Sequence, residues 1–310
     1  MLHNPAIRST CLHIRYLFPY IRRMASPYQL TASALRRELS ARGMSHARHH
    51  PHELTYSAIP SVLFHEHEGQ HGNFLAPSYR AIFANPAWAA RLNKTYCAEA
   101  RIPRRHDPEH ARSRHELDCA SSSDALLMNI FCHPGILESR PLRALLGLSY
   151  DSDPAAKPVF GYKPRLPIGL SRRNRPLIDR TEIDMLIGPL LIEAKLTETS
   201  FQRAPIARVQ RYPAFAEIFD TEALPITGEV IDSYQLVRGV LAAHHEDRSF
   251  VVLCDARRTD LIERWFQILR TVRSCELRSR LALLTWQEIA AVLPRAMQHF
   301  LAEKYGILTA

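Results

Sequence analysis

Two acids and one lysine near the middle of the chain have the types and spacing of a metal-dependent hydrolytic site. Asp184 precedes the dipeptide Gly188-Pro189, and Glu193 follows it. Lys195 stands two residues after Glu193. The positions between these residues are almost all apolar, which favours two strands joined by a turn. If the strands pair symmetrically about the dipeptide, Asp184 lies directly opposite Glu193.

This pairing would place like charges close enough to repel. Glu182 would also face Lys195, and side chains two residues apart on a strand share one face. Directly opposed Cβ atoms are about 4.5–5.5 Å apart, so Asp184 and Glu193 would destabilise the sheet unless a cation lay between them. Mg²⁺ or Mn²⁺ is the simplest such cation, because hard divalent ions bind carboxylate and phosphate oxygens.

A divalent ion at this position would support hydrolysis of a phosphodiester bond. The ion would polarise a phosphoryl oxygen and lower the pKa of a bound water. Lys195 would orient that water or balance charge on the phosphorane-like transition state. The alternative is an ordinary edge hairpin with a salt-bridged polar face. The context favours a site, because Lys195 is one of only five lysines in the chain.

The succession of Asp184, a hairpin and then Glu193-Ala194-Lys195 resembles the signature of the PD-(D/E)XK nuclease superfamily, which includes restriction endonucleases. The resemblance implies that Asp184, Glu193 and the backbone carbonyl of Ala194 bind the metal. It implies that Lys195 is the catalytic lysine. It also implies an α/β fold with a restriction-endonuclease-like mixed central sheet flanked by helices, and Mg²⁺-dependent cleavage of DNA. Ile183 stands where the signature often has proline.

Residues 56–293 are similar to a group of bacterial restriction-endonuclease-like proteins. Five motifs carry this similarity: Ser61-Val62-Leu63-Phe64, His71-Gly72-Asn73-Phe74, Ser122-Ser123-Asp124-Ala125-Leu126, Thr181-Glu182-Ile183-Asp184 and Ser233-Tyr234-Gln235-Leu236-Val237-Arg238. Glu116 is similar to the acid that an upstream helix lends to the metal, and a solvated acid at a helix start is the alternative. Gln235 resembles a glutamine of the RecB-like branch, although Gly239 occupies the position of the tyrosine that follows there. Arg238 would contact a phosphate or lie on the surface.

A second metal-binding motif competes with this interpretation. His67-Glu68-Gly69-Gln70-His71 matches H-E-x-x-H, in which two histidines one helical turn apart bind Zn²⁺ and the glutamate activates water. The motif requires a helix, but Gly69 interrupts it and Gly72 follows directly. A structural loop is therefore the favoured interpretation, and a zinc metalloprotease and a DNA-contacting loop are the alternatives.

The composition agrees with a protein that binds nucleic acid. The chain has 310 residues, with 40 lysines and arginines against 31 acids, and the net charge of +9 favours a polyanionic partner such as DNA. No apolar stretch reaches the roughly 18–20 residues that cross a bilayer, so no membrane partner is expected. Six cysteines without regular spacing favour a reducing, cytoplasmic location. A homodimer stays open, as does a catalytically inactive binding module on the same scaffold.

Strand and helix patterns alternate along the chain, which predicts an α/β fold. Strands are expected at 178–187, 190–196, 250–254 and 281–284. Helices are expected at 125–131, 205–219, 231–245 and 260–272, followed by a last helix that a capping box at 285–288 opens.

Three units are predicted along the chain. Residues 1–55 are expected to form a basic, disordered arm, because residues 1–52 contain eight arginines and a single acid, Glu38. Residues 56–110 form an N-terminal extension packed on the core, and residues 111–310 form the nuclease-like domain. A start at Met24 would leave residues 1–23 outside the mature protein.

Overall fold

The computed structural model describes residues 29–55, 57–95, 115–149, 157–170 and 173–309. Residues 1–28 of the predicted arm lie outside the described residues. The described residues form twelve α-helices: α1 Ala32–His46, α2 Ala76–Ala84, α3 Pro86–Leu92, α4 Ser123–Phe131, α5 Arg140–Leu146, α6 Ile206–Val209, α7 Phe215–Ile218, α8 Tyr234–His245, α9 Thr259–Leu269, α10 Cys275–Ser279, α11 Trp286–Ala291 and α12 Arg295–Tyr305. No helix in these ranges is long and apolar enough to cross a membrane.

The same residues form fourteen short strands. They are β1 His52–Leu54, β2 Val62–Phe64, β3 Glu66–His67, β4 Gln70–His71, β5 Val159–Tyr162, β6 Leu166–Leu170, β7 Pro176–Asp179, β8 Ile183–Ile187, β9 Leu190–Ala194, β10 Ala204–Pro205, β11 Ile226–Thr227, β12 Val230–Ile231, β13 Ser249–Cys254 and β14 Leu281–Thr285.

The centre of the fold is a five-stranded mixed sheet in the order β14-β13-β9-β8-β5. β13 is parallel to both β14 and β9, whereas β8 is antiparallel to both β9 and β5. Every residue of β9 is buried, because helices cover both faces of the sheet. One face packs against α1, α4, α11 and α12, and the other packs against α8, α9 and α10. The predicted α/β fold with a mixed sheet flanked by helices is confirmed.

The β8–β9 hairpin has the register that the sequence predicts. Its ladder consists of three pairs: Ile187 with Leu190, Leu186 with Leu191 and Met185 with Ile192. Gly188 and Pro189 form the turn, and Gly188 has a φ of 51°. A positive φ followed by the fixed negative φ of proline suits a type II′ turn, whose twist matches that of the paired strands. Proline at the second turn position is therefore compatible with the register.

The strand predicted at 178–187 is instead two strands in different sheets. β7 ends at Asp179 and pairs with β6 in a separate two-stranded sheet, whereas β8 belongs to the central sheet. The Asp179 carboxylate accepts hydrogen bonds from the backbone N–H (2.8 Å) and the hydroxyl (2.6 Å) of Thr181. Such a side-chain turn redirects the chain, and the run of apolar residues on both sides conceals it in the sequence.

Local capping signals place the helix starts correctly. Ser122 accepts a hydrogen bond from the backbone N–H of Ala125 (3.1 Å) and opens α4. Thr285 and Glu288 form the predicted capping box of α11. α8 and α9 lie where helices are predicted, but the helix predicted at 205–219 is two short helices, α6 and α7.

Residues 29–55 belong to the fold, which corrects the prediction of a disordered arm over 1–55. Thr31 caps α1 by accepting a hydrogen bond from the N–H of Ala34 (3.1 Å), and Leu35 and Leu39 are buried in the core. β1 pairs with β2, so the predicted boundary at residue 55 falls between two partner strands. The many arginines of this segment concealed the apolar stripe at i, i+4 spacing.

The described part of the extension, 57–95, packs against α4 and the edge strand β5. Tyr79 of α2 and Met128 of α4 belong to one buried cluster. Trp88 of α3 packs edge-on against Phe160 of β5, with ring centroids 6.3 Å apart. This contact holds α3 beside β5, the edge strand that pairs with β8.

Gly239→Ala in α8 should lower the free energy of unfolding by about 1–3 kcal/mol, because it overpacks the core. An added Cβ would lie 2.2 Å from Cζ of Phe250, whose ring is fully buried against Trp265. Gly43→Ala in α1 is the matched control, because its Cβ would come no closer than 3.2 Å to another atom. Urea denaturation measures both variants, and equal stabilities would contradict this packing.

Candidate active site

The β8–β9 hairpin brings Asp184, Glu193 and Lys195 together. Continuing the ladder register by one residue makes Asp184 the partner of Glu193. Oδ2 of Asp184 accepts a hydrogen bond from the backbone N–H of Ala194 (2.7 Å), and Nζ of Lys195 donates to Oε1 of Glu193 (2.6 Å). Since side chains alternate along a strand, all three lie on the face of the sheet that α8 covers.

Neighbouring elements fix the position of Lys195. Its backbone N–H donates to the carbonyl of Leu253 in β13 (2.8 Å), and its own carbonyl accepts from Nε1 of Trp286 (2.9 Å). Nζ lies 6.0 Å from the centroid of the Phe201 ring. Glu193 is 4% exposed and Lys195 is 5% exposed. The ammonium group is therefore held beside the acids in the interior of the fold.

Burial and like charge raise the pKa of Asp184 well above its ordinary value. Burial is the largest cause, repulsion by Glu193 and Asp124 adds to it, and attraction to Lys195 opposes it. Burial by itself would lower the pKa of Lys195, but attraction to Glu193 and Asp184 raises it above its usual range. The protonated amine of Lys195 thus stands among several acids, which form a cluster of acidic side chains.

A third acid, Asp124, completes this negative cluster, and the sequence did not single it out. It lies in the first turn of α4 and is only 6% exposed. Its Oδ2 atom accepts hydrogen bonds from Nη2 of Arg91 (3.0 Å) and Nζ of Lys94 (2.7 Å), at and just beyond the end of α3. Burial lowers the pKa of Lys94, but Asp124 and Glu116 raise it above its usual range. In the sequence, Asp124 was noted only within the motif Ser122-Ser123-Asp124-Ala125-Leu126 and at the start of a buried helix.

The two predicted accessory residues join the cluster indirectly. Glu116 lies in a 3₁₀ turn before α4, and its Oε2 atom is 3.1 Å from Nζ of Lys94. Gln235 lies in the first turn of α8, and its backbone N–H donates to the carbonyl of Phe201 (3.0 Å). Oε1 of Gln235 is buried and has no hydrogen-bond partner among the described residues. Lys94 thus connects Glu116 to Asp124, and Phe201 connects Gln235 to the surroundings of the β8–β9 hairpin.

The sequence suggested that Arg238 either contacts a phosphate or lies on the surface. Both predictions are wrong, because Arg238 is buried and its guanidinium binds groups of the protein. It is 2% exposed, and its guanidinium donates to Oδ2 of Asp179 (2.8 Å) and to the carbonyls of Thr181 and Glu182. Burial would raise the pKa of Asp179, but hydrogen bonds from Thr181 and Tyr212, together with the arginine, hold it well below its usual value. Arg238 therefore fixes the segment that leads into β8.

Glu182 lies at the rim of the negative cluster. The register predicts it opposite Lys195, but β8 begins one residue later. Its carboxylate instead pairs with Nη1 of Arg91 (3.1 Å) and Nζ of Lys163 (3.4 Å). Because Arg91 also binds Asp124, it bridges the rim and the centre of the cluster.

The H-E-x-x-H motif is a hairpin, not a helix, so the zinc metalloprotease alternative is wrong. His67 pairs with Gln70, and Glu68 and Gly69 form the turn with φ values of 51° and 73°. His71 pairs with Glu66, so the two histidines lie on opposite faces. His71 is buried, with Nε2 3.2 Å from Oδ1 of Asp118, whereas His67 is exposed.

Comparison with known protein families shows which family the chain resembles. A family model described as "Restriction Endonuclease associating with ARP" matches residues 43–306. The chain belongs to this family. The matched span begins within α1, ends directly after α12 and includes the whole central sheet, which confirms the resemblance to restriction-endonuclease-like proteins. No match was found among curated proteins or among solved structures.

Membership of a restriction-endonuclease family directs attention to a divalent metal ion. Among the described ranges, no three His, Cys, Asp or Glu side chains stand in an arrangement that could hold a metal. Internal cations explain this, because Lys195 binds Glu193 and two cations near α3 bind Asp124. The residues nevertheless fit Mg²⁺ or Mn²⁺: the donors are hard carboxylate oxygens, and Asp184 is half-buried beside two other acids whose repulsion a divalent ion would relieve.

Asp184→Asn should raise the free energy of unfolding by about 0.5–2 kcal/mol in buffer without divalent ions, as functional acids often cost stability. Asparagine still accepts the hydrogen bond from Ala194 but removes a charge beside Glu193. Lys195→Met should lower the free energy of unfolding by about 3–5 kcal/mol, because it leaves buried acids without a counter-charge.

Urea denaturation at pH 7 tests both variants. Asp220→Asn is the control, because Asp220 is exposed and the change should stay within about 0.5 kcal/mol. A loss of stability in Asp184→Asn would show that the acids of the hairpin do not repel one another.

Proposed function

We propose that this protein is a divalent-metal-dependent nuclease that hydrolyses phosphodiester bonds of DNA. The observation that carries the proposal is the pair of acids facing each other across β8 and β9, with Nζ of Lys195 2.6 Å from Oε1 of Glu193. The family match and the net charge of +9 support it, because a basic protein attracts a polyanionic substrate.

Each residue of the hairpin has a role in this reaction. Asp184 and Glu193, with the backbone carbonyl of Ala194, would hold Mg²⁺ or Mn²⁺. The bound ion would polarise a phosphoryl oxygen and lower the pKa of a water molecule. Lys195 stays protonated, because its acidic neighbours raise its pKa. Its positive charge would orient the attacking water and stabilise the charge that develops on the phosphoryl group.

Gln235 and Asp124 would complete the site. The buried Oε1 atom of Gln235 lacks a partner among the described residues, so it is available to accept a hydrogen bond from the attacking water or the lysine. Asp124 takes the role that the sequence suggested for Glu116. Its charge reaches Asp184 and raises the pKa of that residue, whereas Glu116 is linked to the cluster through Lys94.

A catalytically inactive module that binds DNA or a protein partner on the same scaffold is the second candidate. The observation that favours it is the set of internal ion pairs, since Lys195, Arg91 and Lys94 neutralise the acids without a metal. Such a protein would keep the fold and the affinity for a polyanion but would not cleave.

Wild-type protein should convert supercoiled plasmid to nicked or linear DNA in the presence of Mg²⁺ or Mn²⁺, as measured on agarose gels. Asp184→Asn should slow this by about 100-fold or more, because the metal supplies several kcal/mol of transition-state stabilisation. Asp220→Asn should cleave like wild type. Equal cleavage by Asp184→Asn and Asp220→Asn would contradict the proposed site. If wild-type protein binds plasmid but does not cleave it, the inactive binding module is supported instead.

Mg²⁺ should raise the thermal stability of wild-type protein but not that of Asp184→Asn. A ligand that binds only the folded state adds about 2.7 kcal/mol at a hundredfold excess over its Kd. Thermal unfolding followed by circular dichroism, with Mg²⁺ titrated into metal-free protein, gives the shift without any activity. The same rise in both proteins would place Mg²⁺ elsewhere.

A further inference from the structure

A two-stranded ribbon with a basic surface lies outside the central sheet. β6 and β7 pair only with each other among the described strands, and we call residues 165–170 and 173–180 the basic ribbon. The sequence has no acid between Asp153 and Asp179. Arg165, Arg173 and Arg180 are exposed, and no carboxylate in the described part of the chain pairs with them. The ribbon therefore presents positive charge that the fold itself does not neutralise.

One end of the basic ribbon, which we call its base, is anchored in the core, whereas the other end is exposed. Leu166 is 2% exposed and belongs to the cluster beneath α8. Asp179, the strand partner of Leu166, accepts hydrogen bonds from Arg238 of α8 (2.8 Å) and from the hydroxyl of Tyr212 (2.6 Å). At the other end, Leu170 is 62% exposed. Buried contacts thus anchor one end of the ribbon, and the far end of β6 faces solvent.

The basic ribbon leaves the central sheet at the end that carries the acids. Tyr162 of β5 pairs with Ile183 of β8, one residue before Asp184. Only residues 163–165 separate β5 from β6, and only 180–182 separate β7 from β8. These short connections keep the base of the ribbon beside the candidate active site.

The edges of the basic ribbon do not suit the addition of another strand. Pro167 in β6 and Pro176 in β7 lack a backbone N–H. The register shifts between Pro167 and Leu170, where Gly169 has a φ of 101°. Proline and a bulge are devices that block edge-to-edge pairing, so the side-chain surface is the part available to a partner.

We propose that the basic ribbon binds duplex DNA, with its arginines on the phosphates of one groove, and so positions the scissile bond at Asp184. A two-stranded β-ribbon fits the major groove of B-form DNA, which is about 12 Å wide. Contacts to phosphates set the register and orientation of a protein on the duplex. The inference rests on the proposed nuclease function, in which the basic ribbon would be the surface that binds the DNA substrate.

The test compares Arg165→Gln/Arg173→Gln with Arg80→Gln/Arg295→Gln in the full-length protein. All four arginines are exposed, but Arg80 and Arg295 lie in α2 and α12, outside the ribbon. Fluorescence anisotropy with a labelled DNA duplex in EDTA measures the Kd from 50 to 200 mM salt. Loss of two phosphate contacts should flatten the slope of log K against log salt by about 1.8, whereas the control pair should keep the wild-type slope.

Several outcomes would overturn this inference. They are an unchanged slope in the ribbon variant, an equal loss in the control variant, and no binding of the duplex by wild type. Equal affinity for an RNA duplex of the same length would also contradict it, because the A-form major groove is too deep and narrow to admit the ribbon. Because the binding assay contains EDTA, it measures DNA binding without cleavage. If wild-type protein nicks plasmid in the separate cleavage assay but the ribbon variant keeps the wild-type salt slope, the ribbon proposal alone is rejected. If the ribbon variant shows the expected flattening of the salt slope but wild-type protein does not nick plasmid, the catalytic function alone is rejected.

Discussion

The charge balance around Asp184 and Glu193 is the constraint on which this structure depends. Two acids that face each other in the middle of a sheet repel, and burial increases the cost because less water screens them. The fold compensates with groups from several elements. The ammonium group of Lys195 binds one acid and the N–H of Ala194 binds the other. An arrangement that costs stability but persists is typical of a functional site.

The elements that offset the repulsion between Asp184 and Glu193 also hold the candidate active site in place. β9 is buried along its whole length, and β13 and α11 fix the backbone of Lys195 on both sides. Arg238 fixes the segment before β8 by binding its carbonyls and Asp179. The acids therefore keep their separation through packing and hydrogen bonds, as a preorganised hydrolytic site requires.

The extension contributes directly to the electrostatics of the centre. Arg91 and Lys94 reach Asp124, and Arg91 also reaches Glu182 at the rim. These cations pair with oxygens of the acids that the proposed divalent ion would approach. The family match covers the extension together with the sheet. A metal ion and a polyanionic substrate would each change these ion pairs, the first by competing for the acids and the second by attracting the cations.

The sequence by itself determined the features that depend on neighbouring residues. The period of two along a strand and the turn at Gly188-Pro189 gave the hairpin register, and with it the meeting of Asp184, Glu193 and Lys195. Capping residues gave the starts of α4 and α11. The family resemblance rested on the same local pattern, which is why the α/β fold could be predicted from it.

Only the tertiary structure decided which distant groups join the site. Asp124 meets Arg91 across 33 residues of sequence, and Arg91 meets Glu182 across 91. No local period encodes such contacts, because packing of separate elements creates them. For the same reason the sequence could not show that α1 docks on the core. The turn at Asp179 was also hidden, since its hydrogen bonds with Arg238 and Tyr212 form only when α8 and the segment between α6 and α7 pack against it.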